Sequence, residues 1–203
     1  MKENKFLVFQ SIVPYVDIVI LLDIDIPVCI DEFQDVACCF PYDGMKSDRS
    51  VDFVIKSIHG KDNQFEICSG HNLEYSLTIK CDSGLKKQAV AQIVRMYLGP
   101  RFINIDFAGC SVLQTGCRCF KTNLFCGTDI SRQLAGWLDL IHIKKQDEIL
   151  IHIDGRLSLA ELQRSLEYVG EKLFMLEKIF VSYNAIPRKN EGEIQVSILF
   201  DEK

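Results

Sequence analysis

The sequence predicts a mixed α/β (α+β) fold, in which a β-rich N-terminal part packs on a mixed sheet flanked by about three helices. Three observations predict it. Runs of β-branched and aromatic residues with period-two alternation dominate residues 1–82. Helical spacing sets in at residue 84, and a strand–helix–strand series follows from residue 148. The chain therefore divides into a meander-like part (1–82) and an α/β part (83–203), read together as one integrated domain.

Residues 5–12 (KFLVFQSI) and 16–26 (VDIVILLDIDI) are strand-like. In the second run Ile18, Ile20, Leu22, Ile24 and Ile26 share one face and Asp17, Asp23 and Asp25 the other, the pattern of a half-buried strand with an acidic solvent side. Residues 40–50 (FPYDGMKSDRS) carry Pro, Gly, Asp and Ser and read as a loop. Strands are predicted at 51–58, 64–68 and 73–80. The turns between them, HGKDN and SGHN, make the region an antiparallel meander.

Helical spacing over 84–98 places Leu85, Ala89, Ile93 and Tyr97 on one stripe, with Val90, Val94 and Leu98 beside it. Gly99-Pro100 stops the helix. Strands are then expected at 102–107, 111–113 and 118–126, followed by a helix over about 130–138 with Asp129 or Thr128 as its N-cap. A buried strand reads at 148–153. Ser158 and Glu161 form a capping box, in which each side chain satisfies the other's orphan amide, and open a helix with Leu159, Leu162, Leu166, Val169, Leu173 and Leu176 on one stripe. Strands at 178–183 and 193–200 close the chain across a polar turn at 187–192. The order from 148 to 183 fits a parallel crossover unit.

With 203 residues, a net charge of −5 and a pI near 5.4, the chain offers no bulk electrostatic case for nucleic acid or an anionic membrane. The basic pairs Lys144-Lys145 and Arg188-Lys189 sit beside acidic residues and read as solvated loops. The most apolar stretch, 18–30, is interrupted by Asp23, Asp25 and Pro27, which argues against a membrane helix. The N-terminus lacks the apolar core of a secretory signal. Nine cysteines, an odd number, read as reduced thiols in a cytoplasmic protein.

Four residue sets can carry chemistry. Cys110, Cys117, Cys119 and Cys126 are spaced C-x6-C-x-C-x6-C, and four thiolates suffice for tetrahedral zinc. However, Cys117 and Cys119 fall along a strand rather than in a tight knuckle, so buried thiols filling the core are the expectation and no metal is assigned. A cysteine-dependent enzyme is the alternative reading. Cys126 precedes a helix N-terminus that can stabilise a thiolate, Cys110 is the other candidate nucleophile, and His142 or His152 would be the base. His152 and Asp154 alternate on a strand, as a base and its orienter would. Asp23 and Asp25 share a face at a spacing that suits general acid–base work, although any amphipathic edge strand shows the same alternation.

The last set is the glycine turn at 123–138 (NLFCGTDISRQLAGWL). A working phosphate loop closes glycine amides around the phosphates, sets a lysine against the outer charge and a hydroxyl on magnesium. From Gly127 onward this chain instead has Arg132, Gln133 and Leu134 at those three positions, and Asp129 places negative charge where phosphate would lie. Gly127, Thr128 and Arg132 are what remains for cofactor binding, and no cofactor is assigned.

The order of elements from 51–55 (VDFVI), through the helix ending Tyr97-Leu98-Gly99-Pro100, to 123–127 (NLFCG) and Leu134-Ala135 resembles the HPr kinase/phosphorylase-like P-loop proteins over residues 51–135. The resemblance implies a β-rich part leading through a helix and strands into a phosphate loop. Without the lysine, second glycine, hydroxyl and following acidic pair, it implies a degenerate member that has lost phosphotransfer. The expected function is a non-catalytic, cytoplasmic accessory or protein-interaction protein with a protein partner, no nucleic acid and no membrane. The alternative is the Cys–His enzyme of acyl-transfer or hydrolytic type.

Overall fold

A computed structural model describes residues 6–7, 19–23, 38–42, 53–69, 76–98, 111–141, 143, 148–176, 178–185 and 192–201. The β-branched runs become β1 (Phe6–Leu7), β2 (Val19–Asp23), β3 (Cys38–Tyr42), β4 (Phe53–Ser57), β5 (Gln64–Ser69), β6 (Ser76–Lys80), β7 (Gly116–Cys126), β8 (Glu148–Asp154), β9 (Lys178–Asn184) and β10 (Glu193–Asp201). The helices are α1 (Lys86–Leu98), α2 (Ile130–Asp139) and α3 (Leu159–Lys172). The class is mixed α/β, as expected.

The ten strands form one sheet in the order β1-β9-β8-β10-β7-β6-β5-β4-β2-β3. The predicted meander is β4-β5-β6, antiparallel throughout. β6 then pairs parallel with β7, so the meander continues directly into the C-terminal strands. β8 and β9 pair in parallel across α3, as the crossover pattern requires. β7 and β8 both run antiparallel to β10, which lies between them, so α2 connects two parallel strands across an inserted one.

The structure corrects four local expectations. The N-terminal strand leaves the meander: Phe6 and Leu7 pair parallel with Ile179 and Phe180 at the opposite edge of the sheet. Residues 40–42, read as loop, belong to β3. Pro41 is tolerated there because β3 is at the edge of the sheet among the described strands. Residues 111–113 form a 3-10 turn rather than a strand. Leu159, assigned to the buried stripe of α3, stands exposed in the first turn, while Leu162, Val169, Leu173 and Leu176 are buried as expected. The expected strand at 102–107, the Gly99-Pro100 stop and Asp25 lie outside the described residues, and Asp23 is described only through its backbone pairing with Tyr42.

Strand alternation gives the sheet two covered faces. On one, Ile55, Phe65, Ile67, Leu77, Ile79, Phe120, Leu150, Phe180 and Leu199 pack against Ala89, Val90, Ile93, Val94 and Met96 of α1. Burying each Val, Ile or Met there contributes roughly 1.5–3 kcal/mol. On the other, Ile149, Ile151, Ile153, Val181, Ile194, Val196 and Ile198 pack against Ile130, Leu134 and Leu138 of α2 and Leu162 and Val169 of α3. The capping box of α3 is present in full: Ser158 Oγ accepts from the Glu161 amide, and the Glu161 carboxylate accepts from the Ser158 amide. Among the described residues no helix is long and apolar enough to cross a membrane.

Candidate functional site

On the face beneath α1 the side chains change character along the strands. Phe120, Leu150, Phe180 and Leu199 are apolar and packed. Two residues further, Thr122, His152, Ser182 and Ser197 stand side by side, and the next row brings Asp154, Asn184 and Gln195 into register. These rows occupy the carboxyl-terminal ends of β8 and β9, the end of a parallel sheet where ligands and catalytic groups collect. His152, Asp154, Ser182, Asn184, Gln195 and Ser197 are all buried, as is Gln92 of α1 above them.

Burying polar groups on this scale is costly unless they pair with one another. Gln92 Nε2 donates to Gln195 Oε1 at 2.9 Å, and Gln195 Nε2 donates to Thr122 Oγ1 at 3.0 Å. The Thr122 hydroxyl lies 3.1 Å from the Val196 carbonyl and 3.0 Å from Ser197 Oγ. His152 Nδ1 and the Ser182 hydroxyl are 3.1 Å apart, with the donor set by the imidazole tautomer. Arg95 Nη1 donates to Asp154 Oδ2 at 2.8 Å. Arg95 is 27% exposed and Asp154 fully enclosed, so the guanidinium stands between the carboxylate and solvent. α1 steps across the strands as it crosses: Gln92 meets β10, and Arg95, one turn on, meets β8.

Two sequence-predicted residues, His152 and Asp154, fall in this network on one face, as their alternation implied. Their hydrogen bonds give them different roles from those expected. Asp154 Oδ2 receives Arg95, and His152 Nδ1 is engaged by Ser182. Cys126 is not with them. It sits opposite Glu193 at the exposed end of β7, while His152 sits opposite Ser197. Four residue steps along β10 and two strand spacings separate the pair by about 16 Å, far beyond the reach of a thiolate–imidazole hydrogen bond. The Cys126–His152–Asp154 set is therefore not assembled. Cys110 and His142, the other members of the enzyme reading, lie outside the described residues.

The zinc reading fails on length. Cys119 and Cys126 lie seven residues apart on one continuous strand, about 23 Å, and a tetrahedral site holds its sulfurs within a few ångström. Among the described residues no three His, Cys, Asp or Glu side chains gather at a metal's distance. The expectation of buried fillers does not hold for this set either: Cys117 and Cys119 are half-buried and Cys126 is exposed, whereas the buried thiols among the described residues are Cys68 and Cys81. Burial pushes both thiols up, helped by the neighbouring Glu66 and Asp82 carboxylates.

Gly127, Thr128 and Arg132 are all exposed. Gly127 adopts φ +86°, and Asp129 follows in the left-handed region at φ +63°. Asp129 is the N-cap of α2 by position. Its carboxylate makes no side-chain cap and instead accepts from the Ser131 hydroxyl at 3.2 Å. The Gln133 side-chain amide turns back and donates to the carbonyls of Cys126 and Thr128, each at 3.1 Å. The turn thus directs two carbonyl oxygens onto one carboxamide. A phosphate loop needs inward amides, so this is the opposite polarity.

No protein-family model matches the sequence, and no curated protein matches it. Among solved structures, an FtsZ W319Y mutant from M. jannaschii is similar at 21% identity with a TM-score of 0.46. The likeness covers 57% of this chain and 37% of that one.

A second feature lies on the helical face. Lys172 at the end of α3 binds both carboxylate oxygens of Asp139 at the end of α2, at 2.7 and 2.6 Å. In sequence beside this pair, Leu140 is 77% exposed, Phe174 59% and Met175 37%. Sequence periodicity gave no sign of it, because these residues follow the helices rather than belong to their stripes. Gln92, Arg95 and Gln195 were missed as well. For Gln195, and for Ser182, the signal was a polar residue at alternate positions of an otherwise apolar strand, as in EIQVSILF and KIFVSYN, whereas Gln92 and Arg95 lie on α1, where no such alternation marks them.

Proposed function

We propose that this chain is a non-catalytic, cytoplasmic accessory protein that works by binding another protein through the carboxyl-terminal ends of α2 and α3. The observation that carries this reading is the exposure of Leu140, Phe174 and Met175 where the Asp139–Lys172 pair ties the two helices together. Phe and Met are among the side chains enriched in protein interfaces relative to the rest of the surface. Burying Leu140 or Phe174 in a partner contributes roughly 1.5–3 kcal/mol each.

The buried network supports the same reading. His152 and Asp154, the titratable pair at the strand ends, are enclosed and engaged by Ser182 and Arg95, an arrangement suited to holding α1 in register over the sheet. Kinship with phosphate-loop proteins is not part of the proposal, because Gln133 fills the turn at Gly127. The test is a surface variant, Leu140→Asp with Phe174→Asp, which leaves the core untouched. Loss of the bound partner at an unchanged melting temperature supports the proposal. Full retention of the partner overturns it.

A further inference from the structure

The amide relay beneath α1 ends on an atom that no described residue satisfies. Gln92 is buried, and while its Nε2 donates to Gln195, its Oε1 meets no donor among the described residues. Rotating the amides does not remove the problem. If both turn over, Thr122 donates to Gln195 and Gln195 donates to Gln92, and the orphan becomes Gln92 Nε2 in place of Oε1. A relay of two carboxamides ending on one hydroxyl has one amide atom left over in either direction. A buried amide atom of this kind is rarely left unmet in native proteins.

We infer that the seam between α1 and the ends of β8 and β10 holds a small hydroxylic guest on the Gln92 amide. A hydroxyl donates to Oε1 in one orientation of the relay and accepts from Nε2 in the other, so it satisfies both. An aliphatic group satisfies neither, and a carboxylate fits only the second. The surroundings suit such a guest. Gln195 and Asp154 are in register on adjacent strands, and Arg95, one turn beyond Gln92, leads from the seam toward solvent. Two sources supply this chemistry: an internal water, or the hydroxyl of a small metabolite carried through purification.

The test is an atomic-resolution crystal structure of the full chain, crystallised without polyol additives, together with native mass spectrometry of the protein as purified. Density within hydrogen-bond distance of the Gln92 amide is expected. An isolated peak with no added mass identifies water, whereas extended density with a matching mass identifies a metabolite. Gln92→Met, which keeps the length and removes both amide atoms, is expected to abolish that density in an otherwise superimposable structure. A dry, unpaired amide in the wild-type protein overturns the inference. So does a protein group making that hydrogen bond, or a guest that persists unchanged in Gln92→Met.

Discussion

Arg95 on α1 holds Asp154 on β8 at 2.8 Å, joining a helix to the end of a strand 59 residues further along the chain. The carboxylate is fully enclosed, and the guanidinium covers it from the solvent side. The pair fixes where α1 lies across the sheet, a position that the apolar contacts of Ile93 and Val94 alone set less sharply. Replacing Arg95 with Met removes this guanidinium from a buried carboxylate. Removing one partner of such a pair costs about 3 kcal/mol. Urea unfolding of Arg95→Met is expected to show a lower midpoint at unchanged slope, with Arg95→Lys recovering part of the loss. An unshifted midpoint in Arg95→Met would show that the pair does not anchor the helix.

Gly155 follows β8 at φ +136°, and a Cβ there would lie 2.6 Å from the Glu193 carbonyl oxygen and 2.8 Å from Ile194 Cδ1. Backbone cannot retreat from such an overlap without breaking the β8–β10 ladder. Gly155→Ala is therefore expected to destabilise the fold by about 2–4 kcal/mol, from strain at positive φ added to the overlap. Gly60→Ala, at φ +73° with open space around it, is expected to cost about 1 kcal/mol. Thermal unfolding of the two variants side by side checks the order.

The capping box gives a pH dependence with a definite sign. The Ser158 hydroxyl, then its amide, hold the Glu161 carboxyl below its ordinary value of 4.5. A depressed carboxyl contributes stability that is present above the unfolded value and is lost as pH falls through the folded one. Ser158→Ala is expected to cost about 1 kcal/mol at neutral pH. The gap between wild type and Glu161→Gln is expected to narrow as pH falls below 4.5, and a constant gap down to acid unfolding would contradict the cap geometry.

Thiol mapping by mass spectrometry in the native state separates the cysteines by environment. Cys126 is exposed at the end of β7, whereas Cys68 and Cys81 are buried with thiols pushed up by that burial. Alkylation at pH 8 is expected to modify Cys126 at least ten times faster than Cys68 or Cys81, since only a thiolate that reagent can reach is attacked. Equal rates would mean that the β5–β6 core opens readily.

The fold was largely legible in the sequence, for reasons particular residues make plain. Alternation located β4 to β6, and the Ser158–Glu161 box marked the start of α3 to the residue. β3 was hidden because Pro41 looks like a strand breaker when its edge position is unknown. The parallel pairing of Phe6 with Ile179 is also invisible locally, since partners so distant in sequence leave no short-range pattern. Of the site, His152 and Asp154 were read correctly as sharing a face. Ser182 and Arg95, which bond to them, come from other elements, β9 and α1, and spacing within one strand says nothing about either. The helix N-terminus after Cys126 suggests a thiolate but says nothing of where His152 lies, and the β7–β10–β8 register sets the two four steps apart along the strands.

The docking of a protein partner at the ends of α2 and α3, proposed above, makes a direct prediction about where contacts form. Cross-linking mass spectrometry of the native complex tests it most directly, with Lys172 and Lys178 as the reporting amines. Intermolecular cross-links are expected to concentrate at Lys172. They should disappear in the Leu140→Asp, Phe174→Asp variant while the intramolecular cross-links persist. Cross-links clustered elsewhere, for example at Lys86 and Lys87 of α1, and unchanged in that variant, would contradict it.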